Sequence, residues 1–386
     1  MKSILVVALC CLWLTVSHAD DERILMEATI NGHPVHLAFD TGASDLILLR
    51  PTAERLGLRI TNASPDFHPG SGRVAFGVTE ECSFTMLNQN LRASFYVIDV
   101  PAYVAVSSRV LDGAVGWPSI SHNIVLIEAS TQAVFFLPGV PNDTATWIKF
   151  RVATNSDILK LEIPNPAGRK AILTVDSGAY QGVMLNPRRW REWKAAHANQ
   201  PMTLDAYYTV AAGVTVREQA LAGELSLGPL ALTNVPVIEA DTVDTADSDP
   251  SEYEATLGFA ALKQLDVVVD GKQGIAYLRP KKASGLHYEH NRLGAVFVPP
   301  NPRSDDLVAQ VVKDSPAFEA GIHNGDKLLN IGEIDATKWR TYPDIFFRQS
   351  WQRPAGTKLD LTLKRGGKTF KTTVVLRDIL SPSNAH

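Results

Sequence analysis

Short runs in which apolar and polar residues alternate follow one another along most of the chain, separated by turn residues. The first two runs, Leu25 to Ile30 and residues 35–39, flank Asn31-Gly32, a pair typical of a tight β-hairpin turn. Alternation with a period of two fits strands that have one buried face. Further strands are predicted at residues 46–49, 84–87, 95–100, 124–127 and 133–137. The pattern therefore predicts a mainly β protein, with a short helix at residues 52–56.

This pattern of strands and turns occurs twice. The stretch Phe39-Asp40-Thr41-Gly42-Ala43-Ser44 returns as Val175-Asp176-Ser177-Gly178-Ala179, 136 positions later (176 − 40). Neighbouring residues return at the same offset: Leu37, Leu49, Pro51, Gly77 and Val78 correspond to Leu173, Leu185, Pro187, Gly213 and Val214. Residues 116–138 correspond without gaps to residues 258–280. One Asp-Thr-Gly tripeptide is common, but two similar motifs inside a larger repeat indicate a duplicated unit and therefore two related lobes.

The duplicated motif supplies one aspartate from each lobe, Asp40 and Asp176. Two carboxyl groups about 3 Å apart cannot both ionise, so they hold one proton between them. Such a pair can take a proton from water and give one to a carbonyl oxygen, which is what peptide hydrolysis requires. The neighbouring glycines and hydroxyl residues suit a supporting role in this site, namely Thr41, Gly42, Ser44, Ser177 and Gly178. The alternative is that both motifs are only turns at hairpin ends.

At these motifs the sequence resembles the aspartic peptidases. Each motif is followed later by a short segment that ends in glycine, Ala114-Val115-Gly116 and Thr256-Leu257-Gly258. The short lobes are more similar to retropepsin-like enzymes than to pepsin, although both lobes lie in one chain. The resemblance covers about residues 22–280 and implies a body of two β-barrel lobes with a cleft between them, and Asp40 and Asp176 as the dyad that activates water. Two departures are Tyr180 in the place of Ser44, and the lack of an obvious flap tyrosine near residues 70–77.

The tail, residues 286–386, has a different pattern. Ser315-Pro316 and Gly321 are typical of a short, capped helix, and they are followed by Gly325-Asp326 and two predicted strands. This run resembles a PDZ domain, a small α+β unit that accepts an extended or C-terminal peptide as an added strand. The resemblance implies peptide-binding residues at Leu293, Gly294, Ala295 and Val296, facing a helix near residues 342–352. The alternative is a PDZ domain that packs on the protease body and has no free ligand site.

The first nineteen residues have the pattern of a signal peptide. Lys2 is followed by an apolar run at residues 4–16 and then by Ser17-His18-Ala19, whose small residues fit a cleavage site. The run is too short for a stable membrane span, which needs about 20 apolar residues. Without this segment Cys82 is the only cysteine, so we expect no intramolecular disulfide. We therefore expect an exported protein, in a bacterial periplasm or secreted.

Composition and charge narrow the remaining function classes. Of 386 residues 45% are apolar and 20% are charged, and the net charge is −4. An acidic chain without long basic runs does not have the footprint of a nucleic-acid-binding protein. His33 and His36 are three apart on a predicted strand and so face opposite sides, which argues against a shared metal ion. We expect neither a metal nor an organic cofactor.

These observations together predict an exported aspartic endopeptidase that acts as a monomer on peptide or protein substrates. The predicted divisions are a signal peptide at 1–19, a first protease lobe at 20–140, a second lobe at 141–282 and a PDZ domain at 286–386. A rival function from another class is a non-catalytic peptide-binding or adaptor protein with a degenerate protease body. Aspartate oxygens more than about 5 Å apart would favour this rival.

Overall fold

The structure is a computed structural model, and it describes residues 23–62, 76–87, 89–100, 111–131, 133–154, 156–163, 171–209, 213–241, 253–281, 288–341 and 348–380. Of these described residues 51% are in strands and 14% in helices, so the predicted mainly β fold class is confirmed. The predicted signal peptide at 1–19 and most of the segment at 70–77 lie outside the described residues. Within the described residues, no helix is both long and apolar enough to cross a membrane.

Nine strands form the first sheet: β1 (Leu25–Ile30), β2 (His33–Asp40), β3 (Leu46–Leu49), β4 (Ile60–Asn62), β5 (Phe76–Thr79), β6 (Cys82–Met86), β7 (Gln89–Ala93), β8 (Tyr96–Ile98) and β9 (Gly113–Gly116). Their order is β4-β5-β8-β3-β9-β2-β1-β6-β7. β1 and β2 pair antiparallel around Asn31 (φ 49°) and Gly32 (φ 80°), so the predicted hairpin is confirmed. The left-handed backbone of both turn residues matches the twist of the strands that they join.

Twelve strands form the second sheet: β10 (Ile124–Glu128), β11 (Ala133–Leu137), β12 (Ile148–Val152), β13 (Lys160–Ile163), β14 (Ala171–Val175), β15 (Val183–Leu185), β16 (Met202–Thr209), β17 (Gly213–Leu227), β18 (Leu230–Glu239), β19 (Tyr253–Leu257), β20 (Leu265–Asp270) and β21 (Ile275–Pro280). Their order is β11-β10-β20-β21-β12-β13-β14-β19-β15-β18-β17-β16. β10 comes from the first repeat and β20 from the second, and they pair antiparallel. The two repeats therefore share one continuous sheet.

The repeat seen in the sequence is also a repeat of strand topology. In the first copy β9 lies between β2 and β3, parallel to β2 and antiparallel to β3, and β8 runs parallel to β3. In the second copy β19 lies in the same way between β14 and β15, and β18 runs parallel to β15. A later strand thus inserts beside each aspartate-bearing strand. This insertion holds the residues after β2 and β14 at equivalent places in the two lobes.

Helices are few and short. In the described residues the α-helices are Arg50–Arg55, Pro187–Ala196, Phe259–Leu262, Pro316–Glu319 and Arg348–Trp351, and 3₁₀ helices span Trp117–Ser119, Asn142–Thr146 and Ala336–Thr341. The helix predicted at residues 52–56 begins two residues earlier, since Pro51 stands in its first turn. In the longest helix Trp190 and Trp193 are buried against the second lobe, with ring centroids 5.5 Å apart.

Six strands form the third sheet, which belongs to residues 288–380, here called the C-terminal unit: β22 (Ala295–Val298), β23 (Leu307–Val311), β24 (Lys327–Ile331), β25 (Ile334–Asp335), β26 (Lys358–Arg365) and β27 (Lys368–Val375). Its main path is β22-β23-β24-β26-β27, and β25 pairs with β24. The predicted helix cap is confirmed, because Ser315 Oγ accepts the Phe318 N–H at 3.3 Å and Gly321 has a φ of 82°.

Candidate active site

The two predicted aspartates lie at the ends of equivalent strands. Asp40 is the last residue of β2, and Asp176 directly follows β14. Phe39 and Val175, the residues before them, are fully buried, whereas both aspartates are half-buried. The apolar strands therefore anchor the backbone in the core, and the two carboxyl groups come to the boundary of that core. Residues 176–180 are called the catalytic turn below, after the role proposed for Asp176.

The residues after the two aspartates tie the lobes together. The Thr41 N–H donates to Ser177 Oγ at 3.0 Å, and the Ser177 N–H donates to Thr41 Oγ1 at 3.1 Å. The Thr41 hydroxyl donates its proton to the Val175 carbonyl oxygen, and the Ser177 hydroxyl donates to that of Phe39, both at 2.7 Å. Each hydroxyl thus accepts one hydrogen bond and donates one across the interface between the lobes. Because both side chains are fully buried, this exchange fixes one aspartate-bearing turn against the other.

The glycines let each turn approach the aspartate of the other lobe. A Cβ atom added at Gly42 would stand 2.4 Å from Asp176 Cγ, and one added at Gly178 would stand 2.3 Å from Asp40 Oδ2. Any side chain there would collide with a carboxyl group. These two contacts are mutual, and they bring Asp40 and Asp176 together between the lobes.

Backbone hydrogen bonds make the two carboxyl groups unequal. Asp40 Oδ1 accepts the Gly42 N–H at 2.9 Å. Asp176 Oδ1 accepts both the Gly178 N–H at 2.9 Å and the Ala179 N–H at 3.0 Å. Donors that point at a carboxylate stabilise its ionised form. Asp176 is therefore the better place for the negative charge.

The pKa shifts agree with this difference. Burial, followed by the charge of Asp176, raises the pKa of Asp40 to about 8, and the hydrogen bond that it donates to Asp176 acts in the same direction. Burial also raises the pKa of Asp176, but the Ala179 and Gly178 N–H groups and the hydrogen bond from Asp40 oppose the rise. The favoured arrangement is one shared proton, carried by Asp40, and one negative charge, carried by Asp176.

The buried exchange between Thr41 and Ser177 gives a stability prediction. Thr41→Val keeps the shape but leaves the Val175 carbonyl and the Ser177 N–H without their partner. Each buried group left unpaired costs about 1–3 kcal/mol, so for the two groups we expect the free energy of unfolding to fall by about 2–6 kcal/mol. Denaturant unfolding measures it. Thr85→Val is the control, because its hydroxyl bonds Asn90 at the surface, and equal unfolding curves for the two variants would contradict the prediction.

Ser44, the fifth predicted support, stands apart from this arrangement. Its buried Oγ makes no hydrogen bond among the described residues, and it lies beside Asp45, where burial raises the pKa of the carboxyl and Ser44 partly offsets the rise. In the second lobe the corresponding residue is Tyr180, whose hydroxyl donates to Asp205 Oδ2 at 2.7 Å. The structure therefore brings together Asp40, Thr41, Gly42, Asp176, Ser177 and Gly178, and places Ser44 beside them.

The four residues predicted to bind a peptide lie elsewhere, in the C-terminal unit. Leu293, Gly294, Ala295 and Val296 are all buried. The N–H groups of Leu293 and Gly294, in the loop that the resemblance implies receives the peptide, already donate to Asn291 Oδ1 at 3.0 and 3.1 Å. The Asn291 side chain thus already satisfies both N–H groups. Peptide binding by these residues stays a prediction, and in this conformation they present no open surface.

Three features of the site were missed in the sequence. Asn291 was not considered because one asparagine before a glycine turn carries no signal of its own. The Ala179 N–H is a backbone group and depends on the turn conformation. The bond from Tyr180 to Asp205 had a partial signal, since Tyr180 departs from the repeat and Asp205 interrupts the apolar residues of β16.

Comparison with known proteins adds a family match in the first lobe. The model of the aspartyl protease family matches residues 26–118, which include Asp40, Thr41 and Gly42. The first lobe is similar to aspartyl proteases. A search of curated proteins found no match. The family match supports a peptidase in general, and it ends before Asp176. Within the described residues no three His, Cys, Asp or Glu side chains are grouped as metal ligands would be.

Proposed function

We propose that the protein is an aspartic endopeptidase in which Asp40 and Asp176 together activate a water molecule. The observation that carries the proposal is the mutual approach of the two turns, in which the glycine of each lobe lies against the carboxyl group of the other. Carboxyl groups that stay apart would favour the rival adaptor function. The hydrogen bond between Asp40 and Asp176 favours the enzyme over this rival.

The unequal hydrogen bonding assigns a role to each aspartate. Asp176, the ionised member, takes a proton from the water as the oxygen attacks the carbonyl carbon of the scissile bond. Asp40, the protonated member, gives its proton to the carbonyl oxygen. The intermediate is then a neutral diol, so no oxyanion has to be stabilised. In the second step Asp176 protonates the leaving nitrogen and Asp40 recovers a proton from one diol hydroxyl, which yields an acid and an amine.

This assignment predicts the pH dependence of hydrolysis. Activity requires a proton on Asp40, whose raised pKa is about 8, so activity should fall as pH rises through about 8. Activity also requires an ionised Asp176, so it should fall again in acid. We expect a bell-shaped profile of kcat/KM with its best range at acidic to mildly acidic pH, measured with a peptide substrate. A profile that keeps rising above pH 9 would contradict a protonated catalytic aspartate.

A direct test of the function is digestion of a peptide library by the purified protein, with the products identified by mass. Internal cleavage would support an endopeptidase, and the Asp176→Asn variant prepared in parallel controls for contaminating proteases. Statine-type mimics of the tetrahedral intermediate should inhibit, since they place a hydroxyl where the water is bound. Intact binding of peptides without cleavage over the whole pH range would instead support the adaptor.

Export and a PDZ-type C-terminal unit belong to the same proposal. The pattern of residues 1–19 supports export to a periplasm or out of the cell, which cell fractionation with N-terminal sequencing of the mature protein would test. The capped helix at Pro316–Glu319 and the six-stranded sheet support the PDZ resemblance.

A further inference from the structure

Strand β16 (Met202–Thr209) packs on both faces, and the two faces lead to different parts of the molecule. Leu204 and Ala206 point one way and lie in the hydrophobic core of the C-terminal unit. Asp205 and Tyr207 point the other way, because successive side chains on a strand face opposite sides. There Asp205 accepts the 2.7 Å hydrogen bond from Tyr180, and Tyr207 packs in a cluster against which Tyr180 also lies. One strand therefore contacts both the C-terminal unit and the catalytic turn.

Buried hydrogen bonds fix the C-terminal unit to this strand. The Thr203 hydroxyl donates to the Asn291 carbonyl oxygen at 2.6 Å, and Asn291 Nδ2 donates to the Leu204 carbonyl oxygen at 3.0 Å. Both side chains are buried, Thr203 at 0% exposure and Asn291 at 6%. Asn291 Nδ2 also reaches the Ala295 carbonyl oxygen at 2.8 Å, at the beginning of β22. The contact is thus specific in register, because a shift of β16 would leave several buried polar groups unpaired.

The contacts of β16 with the catalytic turn lead to Asp176, the charged aspartate. Tyr180 is the last residue of the catalytic turn, and it follows Ala179, whose N–H donates to Asp176 Oδ1 at 3.0 Å. The Ala179 carbonyl in turn accepts the Phe259 N–H at 2.6 Å. The direction of the Ala179 N–H therefore depends on how the end of the turn is held. In the first lobe Ser44 stands at the position that corresponds to Tyr180, so the contact between this position and β16 belongs to the second lobe.

We propose that the C-terminal unit positions the catalytic turn through strand β16, with Tyr180 and Asp205 as the positioning residues. The inference rests on the proposed function, because it concerns how the Asp176 carboxylate is held for catalysis. The C-terminal unit is then a part of the active-site scaffold. Its contribution is to keep the Ala179 N–H directed at the carboxylate that accepts a proton from water.

Several ionisable groups surround this connection. Asp40 faces Asp176 from the first lobe, and the charge of Arg23 acts on Asp40. Asp205 faces Tyr180 from β16. Behind it the Tyr207 hydroxyl donates to Asp241, and Arg217 of β17 pairs with that same carboxylate. From β19 the Tyr253 hydroxyl lies against Thr256, 2.7 Å away. Any test must therefore separate the Tyr180 hydrogen bond from the charge of Asp205.

The test is the pH profile of kcat for the full chain and for Tyr180→Phe. Loss of one hydrogen bond should reduce kcat by about threefold to tenfold and leave KM nearly unchanged. It should also move the acid limb to higher pH by roughly half a unit, because the Asp176 carboxylate loses part of its support. Tyr277→Phe is the control, since this ring lies on β21 beside Lys149 and belongs neither to the catalytic turn nor to the C-terminal unit.

Two further variants test whether the charge of Asp205 or the contact with the C-terminal unit contributes to the effect. Asp205→Asn removes the charge but keeps an oxygen that accepts the Tyr180 hydroxyl, so its acid limb should stay close to that of the parent protein. Thr203→Val removes the hydroxyl bond to the C-terminal unit and should move the acid limb in the same direction as Tyr180→Phe, by less. Thr373→Val, at an exposed pair with Asp360, is its control.

Each outcome of these measurements either supports the proposal or overturns it. An acid limb that moves in Tyr180→Phe and Thr203→Val, but not in their controls, supports the proposal. An unmoved acid limb in Tyr180→Phe overturns it, as does an equal move to higher pH in Asp205→Asn, where the Tyr180 hydroxyl keeps an acceptor and loss of the negative charge alone would move the limb to lower pH. If Thr203→Val lowers the melting temperature but leaves the acid limb where the parent protein has it, the C-terminal unit does not position the catalytic turn. Failure of the endopeptidase function itself would be recognised separately, by full activity of Asp40→Asn or Asp176→Asn.

Discussion

Asp40→Asn and Asp176→Asn should each reduce kcat for peptide hydrolysis on the order of a thousandfold or more. Asparagine can neither take a proton from water nor give one to a carbonyl oxygen, and loss of one partner of a general acid–base pair has effects of about this size. The two variants should fail equally although the two aspartates have different roles, since both steps use both groups. Digestion of an unfolded protein such as casein, followed over a range of pH, measures the loss. Full turnover by either variant would remove the dyad from the mechanism.

Loss of activity must be separated from loss of fold in these variants. Burial raises the pKa of Asp40 from 3.8 to about 8, so the protonated form is the one that the fold favours. The stability that this preference gives is complete below pH 3.8 and is lost as pH rises through about 8. Asp40→Asn has no proton to lose there. Its melting temperature relative to the parent protein should therefore rise between pH 4 and pH 8, so an inactive variant can be shown to be folded.

Gly42→Ala and Gly178→Ala should be almost as damaging as the loss of an aspartate. The added Cβ would stand 2.4 Å from Asp176 Cγ or 2.3 Å from Asp40 Oδ2, so a carboxyl group must move. Displacement of a reacting group by about 1 Å can cost on the order of a hundredfold in rate, and we expect at least that loss in kcat. Steady-state kinetics on a cleaved peptide from the library gives the measurement.

Matched controls for the glycine variants exist in the same chain. Gly139 and Gly223 have open space where a Cβ would be added, and neither has a left-handed backbone. Gly139→Ala and Gly223→Ala should keep parent activity and stability. If Gly42→Ala and Gly178→Ala behaved like these controls, the two turns would not approach each other as closely as the account requires.

The sequence predicted the strands and turns that carry the two aspartates because these elements are repeated along the chain. Asp40 and Asp176 were found by their matched positions, and the structure places them at the ends of β2 and β14 with the same neighbouring strands. The hairpin at Asn31 and the cap at Ser315 were predictable since their chemistry is local. The sequence could not predict which of the two aspartates holds the shared proton, because that depends on the backbone N–H groups that point at each carboxyl group.

The C-terminal unit shows where prediction from motifs ended. The motif at residues 293–296 predicted a loop that is open to a peptide, but the loop donors are satisfied by Asn291, which also contacts β16. Contacts between distant parts of the chain carry no local signal, and Thr203 and Asn291 are 88 positions apart. The same holds for Ser44, whose position in the motif suggested a role beside the dyad and whose buried Oγ makes no hydrogen bond among the described residues.

The central claim is that Asp40 and Asp176 share one proton, and carboxyl titration by NMR tests it most directly. Aspartate labelled with ¹³C at the carboxyl carbon would be followed over pH in the parent protein, with each Asn variant providing the assignment. The account predicts that Asp176 ionises first, that Asp40 keeps its proton until pH rises through about 8, and that the pKa of Asp40 falls in Asp176→Asn. Two carboxyl groups that titrate independently near pH 4, unchanged by removal of the partner, would contradict it.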